Sequence, residues 1–153
     1  MKTDRRSTQT NARLADFLCF AVYSTNLAFG KVYRPILDEL GLTYTQYVTV
    51  VALSEEDNQT VNRLGETLFL ESNTLTPILK KLEAMGYVER TRDPADERQV
   101  RVSLTKSGKR LREQASSINL DDACGLAPGE FSKLQKQIVA LRGNLVKAIR
   151  SAE

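Results

Sequence analysis

A chain of 153 residues, of which 41% are hydrophobic, is long enough for one domain with a sizeable core. The sequence contains no histidine, which excludes a histidine-based zinc site and a Ser/His/Asp triad. The net charge of +3 arises between Thr60 and Arg110, where there are ten lysines and arginines and seven acidic residues. A basic bias confined to one segment is suited to contact with phosphates.

The first predicted helix covers residues 12–29, and apolar side chains occupy most of its circumference. A helix that is apolar nearly all round must be buried on several sides, and a partner subunit is one source of that cover. Gly30 and Pro35 interrupt the pattern, so we expect this helix to end before them. A separate short helix is expected to end at Gly41, a residue suited to a C-terminal cap.

Three further helices lead into a predicted β-hairpin. Thr43 and Gln46 have the spacing of a capping box at the start of the first of them, which a loop over residues 55–59 follows. The other two helices are predicted over residues 60–70 and 72–86, separated by a short break. Alternating apolar residues on both sides of the charged run RDPADERQ then indicate a hairpin. Two short helices followed by a charged hairpin form the outline of a winged helix-turn-helix.

The C-terminal part is predicted to contain a helix from Thr105 to Ser117, an irregular connection over residues 118–129 and a long last helix. Apolar residues recur in the last helix with alternating spacings of three and four: Phe131, Leu134, Ile138, Leu141, Leu145 and Ala148. A narrow apolar seam of this kind is typical of an interface helix, so we expect a dimer. Packing against the protomer's own core is the alternative.

The helix predicted over residues 72–86 has one face suited to reading DNA. Its opposite face is apolar, as is needed to seat it on the domain. The candidate DNA-binding residues on the polar face are Ser72, Asn73, Thr74, Thr76, Pro77, Lys80 and Lys81. At the hairpin tip we expect Arg92, Arg98 and Arg101, and an arginine on such a ribbon can enter a minor groove. A solvated amphipathic helix would explain the first element alone, but the two elements together favour DNA binding.

Two cysteines, Cys19 and Cys124, are far apart in the sequence. Either both are small buried hydrophobic residues, or at least one is redox-active. Tyr23 lies one helical turn after Cys19, and Tyr33 and Tyr44 follow in neighbouring elements. Phenolic O–H groups that donate to a sulfur stabilise the thiolate, which is the form that attacks a peroxide. Apolar residues around Cys19 would favour an organic hydroperoxide over hydrogen peroxide.

Residues 42–108, which include the segments LTPILKKLE and DERQVRVSLT, resemble the MarR family of bacterial regulators. The segment LCFAVYS around Cys19 is similar to the OhrR branch of organic-hydroperoxide sensors, and the resemblance extends over about residues 12–150. It implies a mainly α fold with a small β-hairpin wing in a single domain over residues 1–153.

The same resemblance implies a winged helix-turn-helix lobe over residues 43–117 and dimerisation helices over residues 12–40 and 118–153. In the wing, Asp96 and Arg98 match the Asp-x-Arg pattern of the family. The aspartate is expected to hold the turn, and the arginine is expected to reach DNA.

In OhrR-type proteins, a cysteine and two tyrosines form a sensing pocket at the dimer interface, and the match falls on Cys19, Tyr33 and Tyr44. Tyr23 is expected to be a neighbour of this pocket, and the subunit that supplies each ring stays open. Cys124 stands where the two-cysteine class has a second cysteine, which pairs with the first cysteine of the partner subunit. An incidental loop cysteine is the alternative for Cys124.

The resemblance implies a homodimeric repressor of double-stranded operator DNA that is not an enzyme and needs no cofactor or metal. An organic hydroperoxide would oxidise Cys19, and the disulfide with Cys124 of the partner subunit would release the DNA. One alternative is a MarR-type repressor released by a non-covalent aromatic ligand. The other is a thiol peroxidase that uses both cysteines. Since no segment has the length of a membrane span or the core of a signal peptide, we expect a cytoplasmic protein without a membrane partner.

Overall fold

The structure, a computed structural model, describes residues 12–115 and 121–152. The chain divides into two compact units, Met1–Ser116 and Ser117–Glu153. Helices dominate both units, and the first also contains a small antiparallel sheet. The predicted fold class, mainly α with a small β-hairpin wing, is confirmed. Within the described ranges, every helix is too short or too polar to cross a membrane.

The first unit opens with a 3-10 turn at Leu14–Asp16. Its further elements, in chain order, are α1 (Leu18–Leu40), α2 (Tyr44–Glu55), β1 (Gln59–Thr60), α3 (Val61–Leu68), α4 (Ser72–Ala84), β2 (Val88–Arg92), β3 (Val100–Leu104) and α5 (Lys106–Ala115). The first helix was predicted over residues 12–29, but α1 starts at Leu18 and continues to Leu40, so both predicted ends are wrong. The last predicted residues of α5, 116 and 117, lie outside the described residues.

Helix α1 passes through both residues that were expected to end it. A glycine such as Gly30 weakens a helix by about 1 kcal/mol relative to alanine but does not stop it. Pro35 removes one backbone donor, yet the turn that follows it is held in the core by Leu37, which is 4% exposed. Tertiary packing therefore outweighs the local preference of Pro35. The predicted cap at Gly41 is confirmed by its left-handed φ of 65°.

The capping box predicted at the start of α2 is confirmed. The Gln46 backbone N–H donates to Thr43 Oγ1 at 3.3 Å, and the Thr43 N–H donates to Gln46 Oε1 at 2.9 Å. Both of these N–H groups lack a partner within the helix, so the box satisfies two donors at once. The box fixes where α2 begins after the Gly41 turn.

The sheet has the order β1-β3-β2, with antiparallel pairing throughout. In the hairpin, Val88 lies opposite Leu104 and Arg92 lies opposite Val100. Strand β1 was not predicted: Gln59, assigned to a loop, pairs with Val102, and Thr60, assigned to a helix, pairs with Arg101. A strand of two residues is too short to show an alternating pattern in the sequence.

The core of the first unit consists of apolar residues from α1 to α5 and from the sheet. Its most buried large side chains are Leu53, Leu64, Leu75, Leu79, Leu82, Val50, Val88 and Val102. Three of the leucines belong to α4, so the apolar side of this helix is fixed against the core. The opposite side of α4 must then face away from the core.

The second unit contains α6 (Asp121–Cys124) and α7 (Pro128–Arg150). The prediction of an irregular connection over residues 118–129 is therefore wrong at α6 and also at residues 128 and 129, where α7 begins. Residues 118–120 lie outside the described part. Gly125, with a φ of 63°, ends the short helix in the left-handed conformation. All residues of α7 are exposed or half-buried, and its apolar side chains include Leu134, Ile138 and Leu145, exposed by 46%, 45% and 57%.

Candidate functional sites: a nucleic-acid interface and two cysteines

The outward face of α4 carries the residues predicted to bind DNA. Ser72, Asn73, Thr74, Pro77, Lys80 and Lys81 are exposed, and Thr76 is half-buried. The structure places them together because they share one helix whose other side is fixed by buried leucines. Short polar groups near the start of the helix supply hydrogen-bond donors and acceptors, and two ammonium groups further along it supply positive charge. Such a face can meet base edges and phosphates in a major groove.

Hydroxyl hydrogen bonds organise the first turns of α4. The Ser72 hydroxyl donates to Asn62 Oδ1 on α3 at 3.2 Å, which joins the two helices of the helix-turn-helix. The Thr76 hydroxyl donates to the Ser72 carbonyl at 2.7 Å, and the Thr74 hydroxyl lies 3.4 Å from Asn73 Oδ1. Sequence analysis missed Asn62, because a single exposed asparagine on a short helix gives no signal.

The turn between α3 and α4 is tight. A Cβ atom on Gly65 would lie 2.7 Å from the Leu70 carbonyl oxygen, so only glycine fits at this point of α3. Phe69 occupies the left-handed region with a φ of 56° and is 57% exposed. Close approach at Gly65 fixes the angle at which α4 leaves the turn.

The end of α4 is joined to the wing by Glu83 and Arg90. The Arg90 backbone N–H donates to Glu83 Oε1 at 3.1 Å, and its guanidinium donates to Oε2 at 3.0 and 2.7 Å. These hydrogen bonds, the side-chain ones foremost, hold the pKa of Glu83 below its ordinary value. Sequence analysis did not single out this pair. It fixes β2 relative to the candidate DNA-binding helix.

The loop of the wing is shaped by Asp96. Its Oδ1 accepts the Arg98 backbone N–H at 3.1 Å, and its carbonyl accepts the Gln99 N–H at 2.8 Å. The Arg98 side chain is 94% exposed, with Nε 3.6 Å from Asp96 Oδ1. Asp96 thus holds the turn, and the guanidinium of Arg98 extends into solvent.

The expected position of Arg101 at the hairpin tip is wrong. Arg101 lies within β3, and its Nε donates to Asp93 Oδ2 at 2.7 Å. Asp93, which is 6% exposed, was missed in the sequence, although Asp-Pro at the start of a loop is a turn signal. The Ala95 amide, and then the Arg101 guanidinium, hold the pKa of Asp93 below its ordinary value against the opposing effect of burial. Arg92, at the end of β2, does adjoin the loop.

Cys19 is the second residue of α1, and its thiol is free and exposed. Tyr23, one turn further on, is 58% exposed, with its ring 6.4 Å from that of Phe20. Tyr33 lies fourteen residues beyond Cys19 on the same helix, a separation of about 21 Å at 1.5 Å per residue. The structure therefore does not bring Cys19 and Tyr33 of one protomer together.

Tyr33 and Tyr44 do come together. Their ring centroids are 5.0 Å apart, and the Tyr47 ring lies 6.1 Å from that of Tyr33. Burial, and then the neighbouring Tyr47, raise the pKa of Tyr44 above its ordinary value, so its phenol stays protonated at neutral pH. A protonated phenol is a hydrogen-bond donor. Tyr47 was not predicted, although its position three residues after Tyr44 on α2 places it on the same side of the helix.

Cys124 is the last residue of α6, and its free thiol is half-buried. The terminal helices also expose much apolar surface. The exposed large apolar residues of α1 and α7 are Leu18, Phe20, Val22, Tyr23, Leu27, Phe29, Val32, Leu134, Ile138, Val139, Leu145 and Ile149. A soluble monomer rarely leaves so many large apolar side chains uncovered.

Comparison with known proteins agrees with this arrangement. The family model described as transcriptional regulator SarA/Rot matches residues 31–115. The organic hydroperoxide resistance transcriptional regulator of Bacillus subtilis is 39% identical over 140 residues, which cover 92% of this chain and 86% of that protein. Wild-type MarR from E. coli, at 23% identity, shares the fold with a TM-score of 0.65 over 82% of this chain and 96% of MarR.

AbfR of Staphylococcus epidermidis has been solved in several states. Reduced AbfR bound to DNA is 36% identical, with a TM-score of 0.75 over 90% of this chain and 95% of AbfR. Its overoxidised form bound to DNA and its disulfide form are each 38% identical, with TM-scores of 0.65 and 0.59. They match 84% of this chain and 95% and 92% of the respective AbfR chains.

The resemblance drawn from the sequence is confirmed by a family model that matches more than half of the chain and by a relative that matches nearly all of it. The chain belongs to the MarR family of transcriptional regulators, within the group that includes the SarA/Rot-type and organic hydroperoxide resistance regulators.

Proposed function

We propose that this transcriptional regulator is a homodimeric repressor that binds operator DNA when reduced and leaves it when an organic hydroperoxide oxidises Cys19. The observation that supports DNA binding most directly is the outward face of α4, where polar side chains, Lys80 and Lys81 share one exposed surface. Beside it, the wing extends Arg98 into solvent. The helix would occupy a major groove, and the wing arginine would enter the adjacent minor groove.

The exposed apolar residues of α1 and α7 support a dimer in which these helices form the interface. Burial of apolar surface at about 25 cal/mol per Å² is the main driving force for such association. A dimer also places two α4 helices at a fixed separation, so both half-sites of a palindromic operator can be bound at once.

The sensing pocket would be completed across the dimer. Because Cys19 and Tyr33 of one protomer are about 21 Å apart along α1, a contact between them needs Tyr33 of the partner subunit. Tyr33 and Tyr44 lie together, and the phenol of Tyr44 is a donor at neutral pH. Two such donors would stabilise the Cys19 thiolate through hydrogen bonds to its sulfur.

The redox step would proceed in two stages. The Cys19 thiolate attacks the terminal peroxide oxygen, the O–O bond breaks, and the alkoxide leaves and takes up a proton, which gives a sulfenic acid and an alcohol. The Cys124 thiol of the partner subunit then displaces hydroxide from this sulfur, and a disulfide and water form. A disulfide restricts the two α-carbons to about 4.4–6.8 Å, so the interface must adapt and the spacing of the α4 helices changes.

The solved states of AbfR, reduced, overoxidised and disulfide-linked, support redox control as the form of regulation. The relatives are transcriptional regulators, so oxidation of Cys19 is a stoichiometric signal in this proposal and the protein is not an enzyme. Multiple turnover of a hydroperoxide with a dithiol reductant would contradict this and favour a thiol peroxidase.

The test is an electrophoretic mobility shift with a duplex that the reduced parent protein has selected from a randomised pool, with cumene hydroperoxide as the oxidant. The parent is expected to release the duplex, and Cys19→Ser is expected to stay bound at the same oxidant concentration. Cys124→Ser is expected to form the sulfenic acid but no linked dimer on a non-reducing gel. Release of Cys19→Ser at the parent's oxidant concentration would contradict the proposal and favour a repressor controlled by a non-covalent ligand.

A further inference from the structure

Asp93 lies where β2 passes into the wing loop, and it is almost fully buried. Its two carboxylate oxygens have different partners: Oδ1 accepts the Ala95 N–H at 2.8 Å, and Oδ2 accepts Arg101 Nε at 2.7 Å. Its backbone N–H donates to the Gln99 carbonyl at 2.9 Å. A buried carboxylate is stable only when its charge is paired and its oxygens are hydrogen-bonded. The start of the wing loop is thus fixed to β3 through a charged contact.

Arg101 extends this contact beyond the hairpin. Its Nη1 donates to the Asn58 carbonyl at 2.8 Å. Asn58 lies between α2 and β1, and its φ of 55° is in the left-handed region. A guanidinium is planar and rigid, so it holds two acceptors in a fixed mutual geometry. Asp93 is therefore linked through Arg101 to the loop between α2 and β1, which lies outside the hairpin.

Strand β1 supports β3 only at Arg101 and Val102, so from Val100 into the loop the hairpin has two strands alone. A two-stranded ribbon twists strongly and has little stability of its own. The hairpin pairs along five residues on each strand, and the loop over residues 93–99 extends beyond them. Arg98 is carried at the far side of this loop, where Asp96 orients the backbone but leaves the guanidinium almost wholly exposed. The direction in which Arg98 points thus depends on how the base of the loop is held.

We propose that Asp93 is a positioning residue for the wing: through Arg101 and the Asn58 carbonyl, it sets the direction in which the hairpin presents Arg98 to DNA. This inference rests on the proposed DNA-binding function. In this inference, Arg101 helps to orient the wing and does not itself contact a DNA phosphate. Its guanidinium is already bound to a carboxylate and a carbonyl within the protein.

The test is a double-mutant cycle between Asp93→Asn and Arg98→Ala, measured as the dissociation constant for a duplex selected by the reduced parent protein. Arg98→Ala is expected to weaken binding by about 5- to 150-fold in the parent. Asp93→Asn alone is expected to weaken binding by at least about threefold, because Arg98 is then misdirected. In the Asp93→Asn background, Arg98→Ala should cost less than about threefold.

Glu130→Gln is the control. Glu130 Oε2 accepts the Ala127 N–H at 3.1 Å at the start of α7, and neither residue belongs to the link between Asp93, Arg101 and the Asn58 carbonyl. Asp57 is unsuited to this purpose, because its Oδ1 accepts the Asn58 N–H at 2.9 Å and so acts on the link itself. A carboxylate outside the link should give effects that add to those of Arg98→Ala. Additivity is therefore expected for Glu130→Gln, whereas strong non-additivity is expected for Asp93→Asn.

The outcomes separate this inference from the function on which it rests. If Arg98→Ala costs the same with and without Asp93→Asn, the positioning role is wrong and DNA binding stands. If Arg98→Ala has no effect in the parent, Arg98 is not a DNA contact, and the inference is wrong for that reason. If the parent selects no duplex, both the function and the inference are wrong. Should Asp93→Asn not fold, Arg101→Gln tests the same link under the same criterion.

Discussion

At the scale of single residues, the DNA-binding lobe contains two kinds of charged side chain. Some are exposed and could contact DNA, and others bind arginines within the lobe and fix the position of its elements. Lys80 and Arg98 are exposed, whereas Asp93 and Glu83 bind arginines within the lobe. The exposed residues were predictable, because an amphipathic helix and a charged hairpin identify their polar faces. Asp93 was not predicted, because its partner Arg101 is eight residues away in sequence and becomes adjacent only when β2 and β3 pair.

Replacement of Asp93 should change how stability depends on pH. The folded-state pKa of Asp93 is depressed, so its carboxylate stabilises the fold fully above the unfolded value of about 3.9. That contribution is lost as the pH falls through the folded-state pKa. We expect the free energy of unfolding, measured by urea denaturation, to differ between parent and Asp93→Asn by a constant amount from about pH 5 to 7. The difference should shrink below about pH 4; a difference that persists unchanged there would contradict the charged contact.

Replacement of Lys80 should report on contact with phosphates. Lys80→Ala removes one exposed ammonium from the outward face of α4, so fewer counterions are released on binding. The slope of log affinity against log salt should become shallower by about 0.9, with weaker binding to all duplexes. Lys136→Ala, an exposed lysine of α7, is the control and should leave the slope unchanged. Equal slopes for the parent and Lys80→Ala would show that Lys80 does not contact a DNA phosphate.

At the scale of elements, α1 shows most clearly what the sequence could not predict. Local preferences at Gly30 and Pro35 predicted two helices, but the structure has one, because Leu37 and the rings beside it pack on α2. The pattern in α4 was sufficient to predict both its core side and its outward side. Strand β1 could not be predicted from the sequence, because its two residues are too few to show a pattern and form a strand only by pairing with β3.

Removal of the proline in α1 should stabilise the protein. Pro35→Ala restores the backbone donor to the Lys31 carbonyl and removes the clash of the pyrrolidine ring, effects that together approach 3 kcal/mol in a helix interior. The less restricted unfolded chain opposes this by roughly 0.4–1 kcal/mol. We therefore expect a gain of about 2 kcal/mol in the free energy of unfolding. A loss would indicate that packing of Tyr33 on Tyr44 requires the geometry that the proline imposes.

The apolar stripe of α7 should be required for the dimer. Leu141→Asp introduces a charge at a half-buried position of the stripe, which would cost several kcal/mol if the partner covers it. Light scattering is expected to show monomers or unfolded chains. Lys136→Asp, on an exposed position of the same helix, is the matched control and should remain dimeric. A folded dimer of Leu141→Asp would place the interface elsewhere.

At the scale of the whole molecule, Cys19 and Tyr33 are separated by more than half the length of α1. A helix of 23 residues is a rigid spacer of about 34 Å, so no rearrangement of side chains can bring Cys19 to Tyr33 within one protomer. If the pocket forms as proposed, it must therefore combine residues of two subunits. This is also why sequence analysis could not assign the rings to subunits.

Under the proposed function, the length of α1 makes the response to peroxide a property of the dimer, which two different defective subunits should restore together. In a mixed dimer of Cys19→Ser and Tyr33→Phe subunits, one cysteine would face an intact tyrosine, and the other site would lack both groups. After mixing by unfolding and refolding, the mixed dimer should consume one equivalent of hydroperoxide at the parent rate, whereas Cys19→Ser dimers do not react and Tyr33→Phe dimers react slowly. Had each pocket been built within one subunit, mixing would restore nothing. A cell that carries both defective alleles would then sense peroxide where neither allele suffices alone.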